Sequence, residues 1–398
     1  MKAIILAAGR GTRLKPLTDT IPKPMICIAG KPIIEYTLEN IYSQVDEIII
    51  VVKYLSQKFI DYFGDNYKNT KITYFEQGED KGTGGAIRGI KFEDDFLLIN
   101  GDSIFEKKDI DNLINLENYG ALVLKTETPE KYGIFEQNSD NFAIKIVEKP
   151  TEFIGNLANL GVYKFSSEML KLVNEIELSS RGEYEITDAI NLFIKQISTE
   201  GFSPLQLLKL EGKFIDIGYP WDILSANKYF LEKIKKSELN GEVENGVNIK
   251  GNIILGKGSI LKSGTYIEGN VIFGENCIIG PNCYIRGNSV FGNNSKVGNA
   301  VEIKNSSIGN NTNIGHLSYV GDSIIGNNCN FGAGFKVANL RHDGKNMRAM
   351  LKGKLVETGL KKLGIILGNN SKLGINTLCY PARIFPEGFT SLPGEIIK

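Results

Sequence analysis

The strongest constraint on this chain is a beat of six. Ile249, Leu255, Leu261, Ile267, Phe273, Ile279, Ile285, Phe291, Val297 and Ile303 follow one another at a constant spacing of six residues. Glycine comes directly after several of them, at 256, 274, 280, 292 and 298. The beat returns as Ile308-Gly309, Ile314-Gly315, Val320-Gly321, Ile325-Gly326 and Phe331-Gly332, with two steps shortened to five. A helix would repeat its apolar side chains at about 3.6 and a half-buried strand at about 2. Six is the period of a parallel β-helix, in which each short face sends one apolar side chain inward and each coil rests on the next. Asn and Gly crowd the corners because they accept left-handed backbone angles.

Ahead of the beat the pattern is different. AIILAA (3–8), EIIIVV (47–52), FLLING (96–101) and ALVLK (121–125) are short β-rich runs, separated by helix-periodic stretches such as PIIEYTLENIYS and KKDIDNLINLENY. Such alternation predicts an α/β domain with a doubly wound, mainly parallel sheet, whose ligands sit beyond the carboxyl ends of the strands. The expected organisation is this domain over 1–230, a polar linker over 231–245 after a connecting helix from 222, and a left-handed parallel β-helix over 246–398. After Leu373-Gly374 no further clear apolar-glycine rungs are visible, so the coil is expected to end early.

A chain of 398 residues is long enough for two cores. Its 46 basic and 46 acidic residues cancel, which removes any long-range pull toward nucleic acid or an anionic membrane. No apolar run reaches bilayer length. The opening MKAIILAAGRG breaks at Gly9 and suits a first strand better than a signal peptide. Five cysteines, odd in number and without CxxC pairs, predict free thiols and a cytoplasmic location.

Gly9-Arg10-Gly11-Thr12-Arg13 follows the first strand directly. A GxG turn lets backbone N–H groups approach phosphate oxygens without Cβ interference. It lacks the third glycine of a dinucleotide fingerprint and the Gly-Lys-Ser/Thr of a P-loop. Taken singly, the turn is equally a plain tight turn, Asp102 a turn cap, Asp216 a solvated strand end and Lys23 an exposed loop lysine.

Their joint order removes that ambiguity. LAAGRGTRLKPLT with Pro22-Lys23-Pro24, FEQGEDKGTGGA, INGDSIF, Tyr132-Gly133, Glu148-Lys149-Pro150, Asn159-Leu160-Gly161 and FIDIGYPWD together resemble the sugar-1-phosphate nucleotidylyltransferases. The resemblance implies a triphosphate cradle at Leu6, Ala8, Gly9, Gly11 and Thr12, with Arg13 and Lys23 neutralising developing charge. It implies base reading by Gln77, Gly82 and Thr83, a sugar pocket at Gly133, Glu148, Lys149 and Asn159, and Mg²⁺ ligands at Asp102 and Asp216. The chemistry agrees: hard Mg²⁺ is held by one or two carboxylates plus substrate phosphates, and Arg and Lys serve as fork and point charge. Gln77 suits a pyrimidine edge, so UTP and dTTP both remain candidates, with glucose 1-phosphate or N-acetylglucosamine 1-phosphate as the second substrate. Leu160 stands where the family more often has Ala.

The second half carries VEIKNSS, IGHLSYVGDS and GAGFKVANLRHDGK, which resemble the acetyltransferase domain of archaeal-type bifunctional N-acetylglucosamine-1-phosphate uridylyltransferases. That resemblance implies acetyl-CoA as cosubstrate, His316 as base, an amino-sugar phosphate held by Arg286, Lys304, Tyr319, Asn339 and Lys345, and a homotrimer. Two departures stand out: Arg348 where the family reads Lys, and Arg286-Gly287 where it reads Arg-Pro. The early end of the coil implies a weakly held coenzyme tail. Three functions remain: a bifunctional enzyme, a nucleotidylyltransferase with a β-helix scaffold, and a nucleotide-sugar sensor. The intact Arg13, Lys23, Asp102 and Asp216 set speaks against the last.

Overall fold

The computed structural model describes residues 1–200 and 205–398, with side chains described outside 197–204. Contacts divide the chain into two compact units: Met1–Arg10, Pro22–Met25 and Ile33–Asp216 form one, and Gly11–Ile21, Ile26–Pro32 and Ile217–Lys398 the other.

The first unit is built on β1 (Lys2–Leu6), β2 (Glu47–Val52), β3 (Thr70–Glu76) and β4 (Phe96–Asn100). These four are parallel, in the order β4-β1-β2-β3, with Leu6 opposite both Val51 and Asn100. β1, β2 and β4 are apolar almost throughout, as strands covered on both faces of a parallel sheet are, whereas β3 mixes polar and apolar residues. Helix α1 (Ile33–Ile41) shows the matching pattern, burying Ile33, Ile34, Thr37, Leu38 and Ile41 on one side. Beyond them in sequence come β5 (Ser103–Ile104), β6 (Gly120–Lys125), β7 (Gly133–Gln137), β8 (Ala143–Glu148), β9 (Leu157–Phe165), β10 (Gln206–Lys209) and β11 (Ile215–Asp216). β9 pairs antiparallel with β4 and, across a bulge between Asn159 and Tyr163, with β6. The sheet is therefore parallel at its centre and antiparallel beyond β4, with a short antiparallel strand, Asn66–Tyr67, at the opposite edge beside β3. Helix α2 (Ile186–Glu200) packs on β8.

The second unit is a left-handed parallel β-helix preceded by α3 (Asp222–Glu232). Short strands stack as three flat faces. Asn276, Asn282, Asn288, Asn294, Asn305, Asn311, Asn328, Asn370 and Asn376 all have positive φ, which is why asparagine recurs at the corners. The expected linker is partly coil. Glu238–Leu239 and Glu242–Val243 pair in parallel with Ile254–Leu255 and Ile260–Leu261, so the first rung begins inside 231–245. The Asn270 amide donates to the Leu231 and Ile234 carbonyls (2.7 and 3.1 Å), capping the end of α3 against the coil.

The early end of the coil is also corrected. Arg383–Phe385 pairs with Ile365–Leu367, and Ile396–Ile397 with Leu378–Cys379. Leu367, Leu373, Cys379, Phe385, Ser391 and Ile397 still keep the spacing of six. Cys379 and Ser391 occupy inward slots, which hid the beat from a search for branched apolar residues.

Candidate active sites

The parallel strands of the first unit deliver their loops to one edge. Gly9 follows β1, Gln77 follows β3, and Asn100-Gly101-Asp102 closes β4. Gly101 N–H donates to the Leu6 carbonyl (2.9 Å), and a Cβ there would lie 2.9 Å from Ile5 Cγ2 and 3.0 Å from the Leu6 oxygen. Only glycine brings the two loops that close. A Cβ on Gly9 would meet nothing within 4 Å, so this turn faces open space on the side where a ligand would approach. Gly11 adopts φ 57 and caps the turn Thr12–Leu14, and the Thr18 hydroxyl donates to its carbonyl (3.0 Å). The Arg13 guanidinium stands 5.7 Å from the Tyr219 ring centroid, and Tyr219 is stacked on Trp221 at 4.8 Å.

Asp102 and Asp216 come together although 114 residues separate them, because Asp216 pairs with Ser103 across β11 and β5. Lys23 is 8% exposed, and its ammonium donates to Asp102 Oδ2 (2.8 Å) and Asp216 Oδ1 (3.4 Å). The two carboxylates are each about two-fifths exposed, open to a ligand on their far side. Two hard oxygen donors beside a cationic side chain are a donor set that would suit Mg²⁺ shared with substrate phosphates. Among the described residues no three His, Cys, Asp or Glu side chains gather into an all-protein metal cage.

In the segment expected to read the base, Gln77 is tethered, its Nε2 donating to the Asp80 carbonyl (2.6 Å). Gly82 has φ 93, and a Cβ there would press on the Tyr184 backbone at 2.5 Å. The Thr83 hydroxyl accepts from Ile186 N–H (3.3 Å). In the segments expected to hold the sugar, Gly133 lies opposite Glu148, and Lys149 follows at φ 45. Glu148 accepts from Arg181 (3.3 Å) and Lys149 (3.4 Å). Asn159 donates to the buried Tyr163 hydroxyl (2.6 Å) and accepts from Gly161 N–H (3.1 Å), while burial pushes the Tyr163 phenol up. A Cβ on Gly161 would overlap the Asn100 amide, so only glycine allows that approach, while the Tyr163 hydroxyl and the Gly161 N–H hold Asn159.

On the β-helix, one cluster forms around Asp322, which is only 4% exposed. Lys304 Nζ lies 3.7 Å from it, the Asn339 amide donates to it (2.6 Å) and to the Tyr319 hydroxyl (3.0 Å), and Asn305 donates to it (2.7 Å). Burial holds the Lys304 ammonium below its usual value, with Lys362 and Arg286 adding repulsion that Asp322 opposes. Arg286 pairs in register with Lys304 on the next rung, and Glu302 accepts from it (3.1 Å). His316 ends the strand Asn313–His316 on a different face, is exposed, and is not drawn into this cluster. Lys345 sits in the insertion, its N–H donating to Asp343 (3.1 Å).

The description "Nucleotidyl transferase" matches residues 2–233, more than half of the chain. The chain belongs to the nucleotidyl transferase family. A second family, described as the GMPPB C-terminal domain, matches residues 267–387 of this nucleotidyl transferase. The bifunctional protein GlmU of Methanocaldococcus jannaschii is 45% identical over 96% of this chain and 91% of its own. A bifunctional sugar-1-phosphate nucleotidylyltransferase/acetyltransferase of Sulfurisphaera tokodaii is 40% identical over 97% of this chain and 96% of its own. A UDP-glucose pyrophosphorylase crystal structure in complex with UDP-glucose superposes with a TM-score of 0.52 over 58% of this chain and 99% of its own, and at 24% identity speaks for the fold alone. No helix among the described residues of this nucleotidyl transferase is long and apolar enough to cross a membrane.

Asp322, Tyr163, Arg181 and Lys362 escaped the sequence reading. For Asp322 a signal existed: Asn305, Asp322 and Asn339 are each 17 residues apart, about one coil, and so stack at one corner.

Proposed function

We propose that this protein joins a nucleoside triphosphate to a sugar 1-phosphate, and that its β-helix transfers an acetyl group to an amino-sugar 1-phosphate. The observation that carries the first half is Lys23 held between Asp102 and Asp216 at the carboxyl edge of the sheet. A sugar-phosphate oxygen attacks the α-phosphorus, the bond to the bridging oxygen breaks, and pyrophosphate leaves, so no protein nucleophile is required. Lys23 and Arg13 offset charge that grows on the transferring phosphate. Asn159, Glu148 and Lys149 orient the sugar, and Gln77 with Gly82 and Thr83 meets a uracil or thymine edge. Asp102 and Asp216 would hold Mg²⁺, whose charge stabilises the phosphate oxygens.

For acetyl transfer, the Lys304, Tyr319 and Asn339 cluster with Arg286 supports binding of the acceptor's phosphate and hydroxyls, and His316 is the base. The amine attacks the thioester carbonyl of acetyl-CoA, the imidazole takes its proton, and the coenzyme leaves as a thiol. His316 ends the adjoining face, and the width of the face carrying Tyr319–Gly321 separates it from this cluster, roughly 10 Å at about 3.3 Å per strand residue. A homotrimer that sets one copy's His316 beside its neighbour's cluster closes that gap.

The test is a product screen of purified protein with UTP, dTTP and other triphosphates against sugar 1-phosphates. Expected is a UDP- or dTDP-sugar with equimolar pyrophosphate, lost on chelating Mg²⁺; no pyrophosphate from any pair overturns the reading. Thiol release from acetyl-CoA with glucosamine 1-phosphate, abolished in His316→Ala, tests the second half. No release at millimolar acetyl-CoA leaves the β-helix as scaffold.

A further inference from the structure

The insertion that interrupts the beat ends in a hairpin, Arg348–Leu351 against Lys354–Glu357, which packs on the strand Arg383–Phe385 of the following coil. Between them lies a cavity of about 240 Å³ lined by Arg341, Met347, Arg348, Leu355, Tyr380 and Arg383, together with Pro381 and Ala382. Three guanidinium groups on so small a space are unusual, and they are not equivalent. Arg341 is held by Asp343 in a two-point pair (2.8 and 2.6 Å). Arg348 stands 3.8 Å from Glu357 on an exposed hairpin. Among the described residues Arg383 has no carboxylate partner, and its buried Nε has no hydrogen-bond acceptor. A buried donor left unmet is costly, and its persistence points to an acceptor supplied from outside the chain.

We propose that this cavity binds a phosphate group carried on an organic ligand, with Arg383 as the anchoring donor. The charge balance favours an anion: two carboxylates match two arginines and leave one positive charge over. Guanidinium forks suit phosphate oxygens, and the exposed pairs to Asp343 and Glu357 are weak enough to be exchanged for ligand contacts. Size narrows the occupant. Whole small molecules fill about 300 Å³ or more, so this space takes the phosphorylated end while the remainder lies outside along Leu355 and Tyr380, each about half exposed. The floor is firm. Met347 is 1% exposed, and both the N–H and the hydroxyl of Thr358 donate to its carbonyl (3.0 and 2.8 Å).

The position gives the ligand two sources. Asp322 N–H donates to Lys304, Gly364 N–H to Asp322, and Ala382 N–H to Gly364, at 2.9, 2.8 and 2.6 Å. The cavity thus stands two rungs beyond Asp322 at the same corner, roughly 10 Å away at the usual strand spacing. A phosphate there belongs either to the nucleotide end of the acetyl donor or to a separate phosphorylated metabolite.

Direct binding decides, and it does not depend on acetyl transfer taking place. Full-length wild type, Arg383→Met and Arg383→Lys are titrated calorimetrically with acetyl-CoA, adenosine 3′,5′-bisphosphate and inorganic phosphate, with thermal melting as the fold control. Expected is binding of at least one probe to wild type, weakened tenfold or more in Arg383→Met and partly restored in Arg383→Lys. Competition between the bisphosphate and acetyl-CoA assigns the donor; phosphate or bisphosphate binding that leaves acetyl-CoA undisplaced assigns a separate ligand. Either supports the pocket. If Arg383→Met melts early, Arg341→Met on the exposed loop replaces it with the same expected loss. No binding of any probe to wild type at millimolar concentration, or equal affinity in wild type and the charge-removing variant, overturns the proposal.

Discussion

Lys23 is the central side chain of the proposed nucleotidyl site. It is nearly buried and faces two carboxylates from strands that meet only in the folded chain. Asp102→Asn and Asp216→Asn change almost no volume but remove ligand charge, so each is expected to cut pyrophosphate release by on the order of 10² to 10³ with little change in melting temperature. Lys23→Met is expected to do the same through kcat rather than KM, because its charge matters most as the transferring phosphate gains negative charge; a change in KM alone would mean uniform binding. The cysteines behave oppositely. Burial pushes Cys283 up to about 11, and burial with Glu395 nearby pushes Cys379 up to about 12; Cys277 and Cys329 are also raised by burial, whereas Cys27 is exposed. Thiolate is the reactive form, so a thiol reagent at pH 8 is expected to label one cysteine per native chain and all five in denaturant. Four fast thiols in the native protein would mean the coil opens readily.

At the scale of elements the β-helix is held by repetition. One corner carries a ladder in which Asn294 donates to Asn311, Asn311 to Asn328 and Asn328 to Asn370 (3.0, 3.0 and 3.1 Å), with Asn370 donating to Glu387 (2.6 Å). Each asparagine accepts the left-handed angle and also satisfies its neighbour one coil away. Glycines at the turns are not all alike. A Cβ on Gly298 would collide with the Gly315 carbonyl of the next coil, whereas a Cβ on Gly315 itself would meet nothing within 4 Å. Gly298→Ala is therefore expected to destabilise by about 2–3 kcal/mol, as overpacking does, and Gly315→Ala by less than about 0.5 kcal/mol. Melting curves of the two variants check it; equal shifts would show that the rungs separate easily.

Across the whole molecule, the last coils leave apolar side chains in the open: Leu392 is 74% exposed, Ile396 57% and Ile375 54%, with Leu317 at 61% beside His316. Exposed apolar surface on a rigid face favours association. Light scattering is expected to report a trimer, and Leu392→Asp with Ile396→Asp to shift it toward monomer and to lower acetyl transfer while sparing nucleotidyl transfer. Dissociation without loss of acetyl transfer would place the whole acetyl site within one copy. The β-helix and the first, parallel strands were legible in the sequence, because periodicity is local and each rung repeats the same burial. Gly9, Lys23, Asp102 and Asp216 were singled out as candidates by their order along the chain. Neither the ion pairs that join Lys23 to both carboxylates nor the hub at Asp322 could be read that way. They depend on which strands pair and which rungs stack, and the cost of burying a charge is met only by partners that tertiary structure brings from far along the chain.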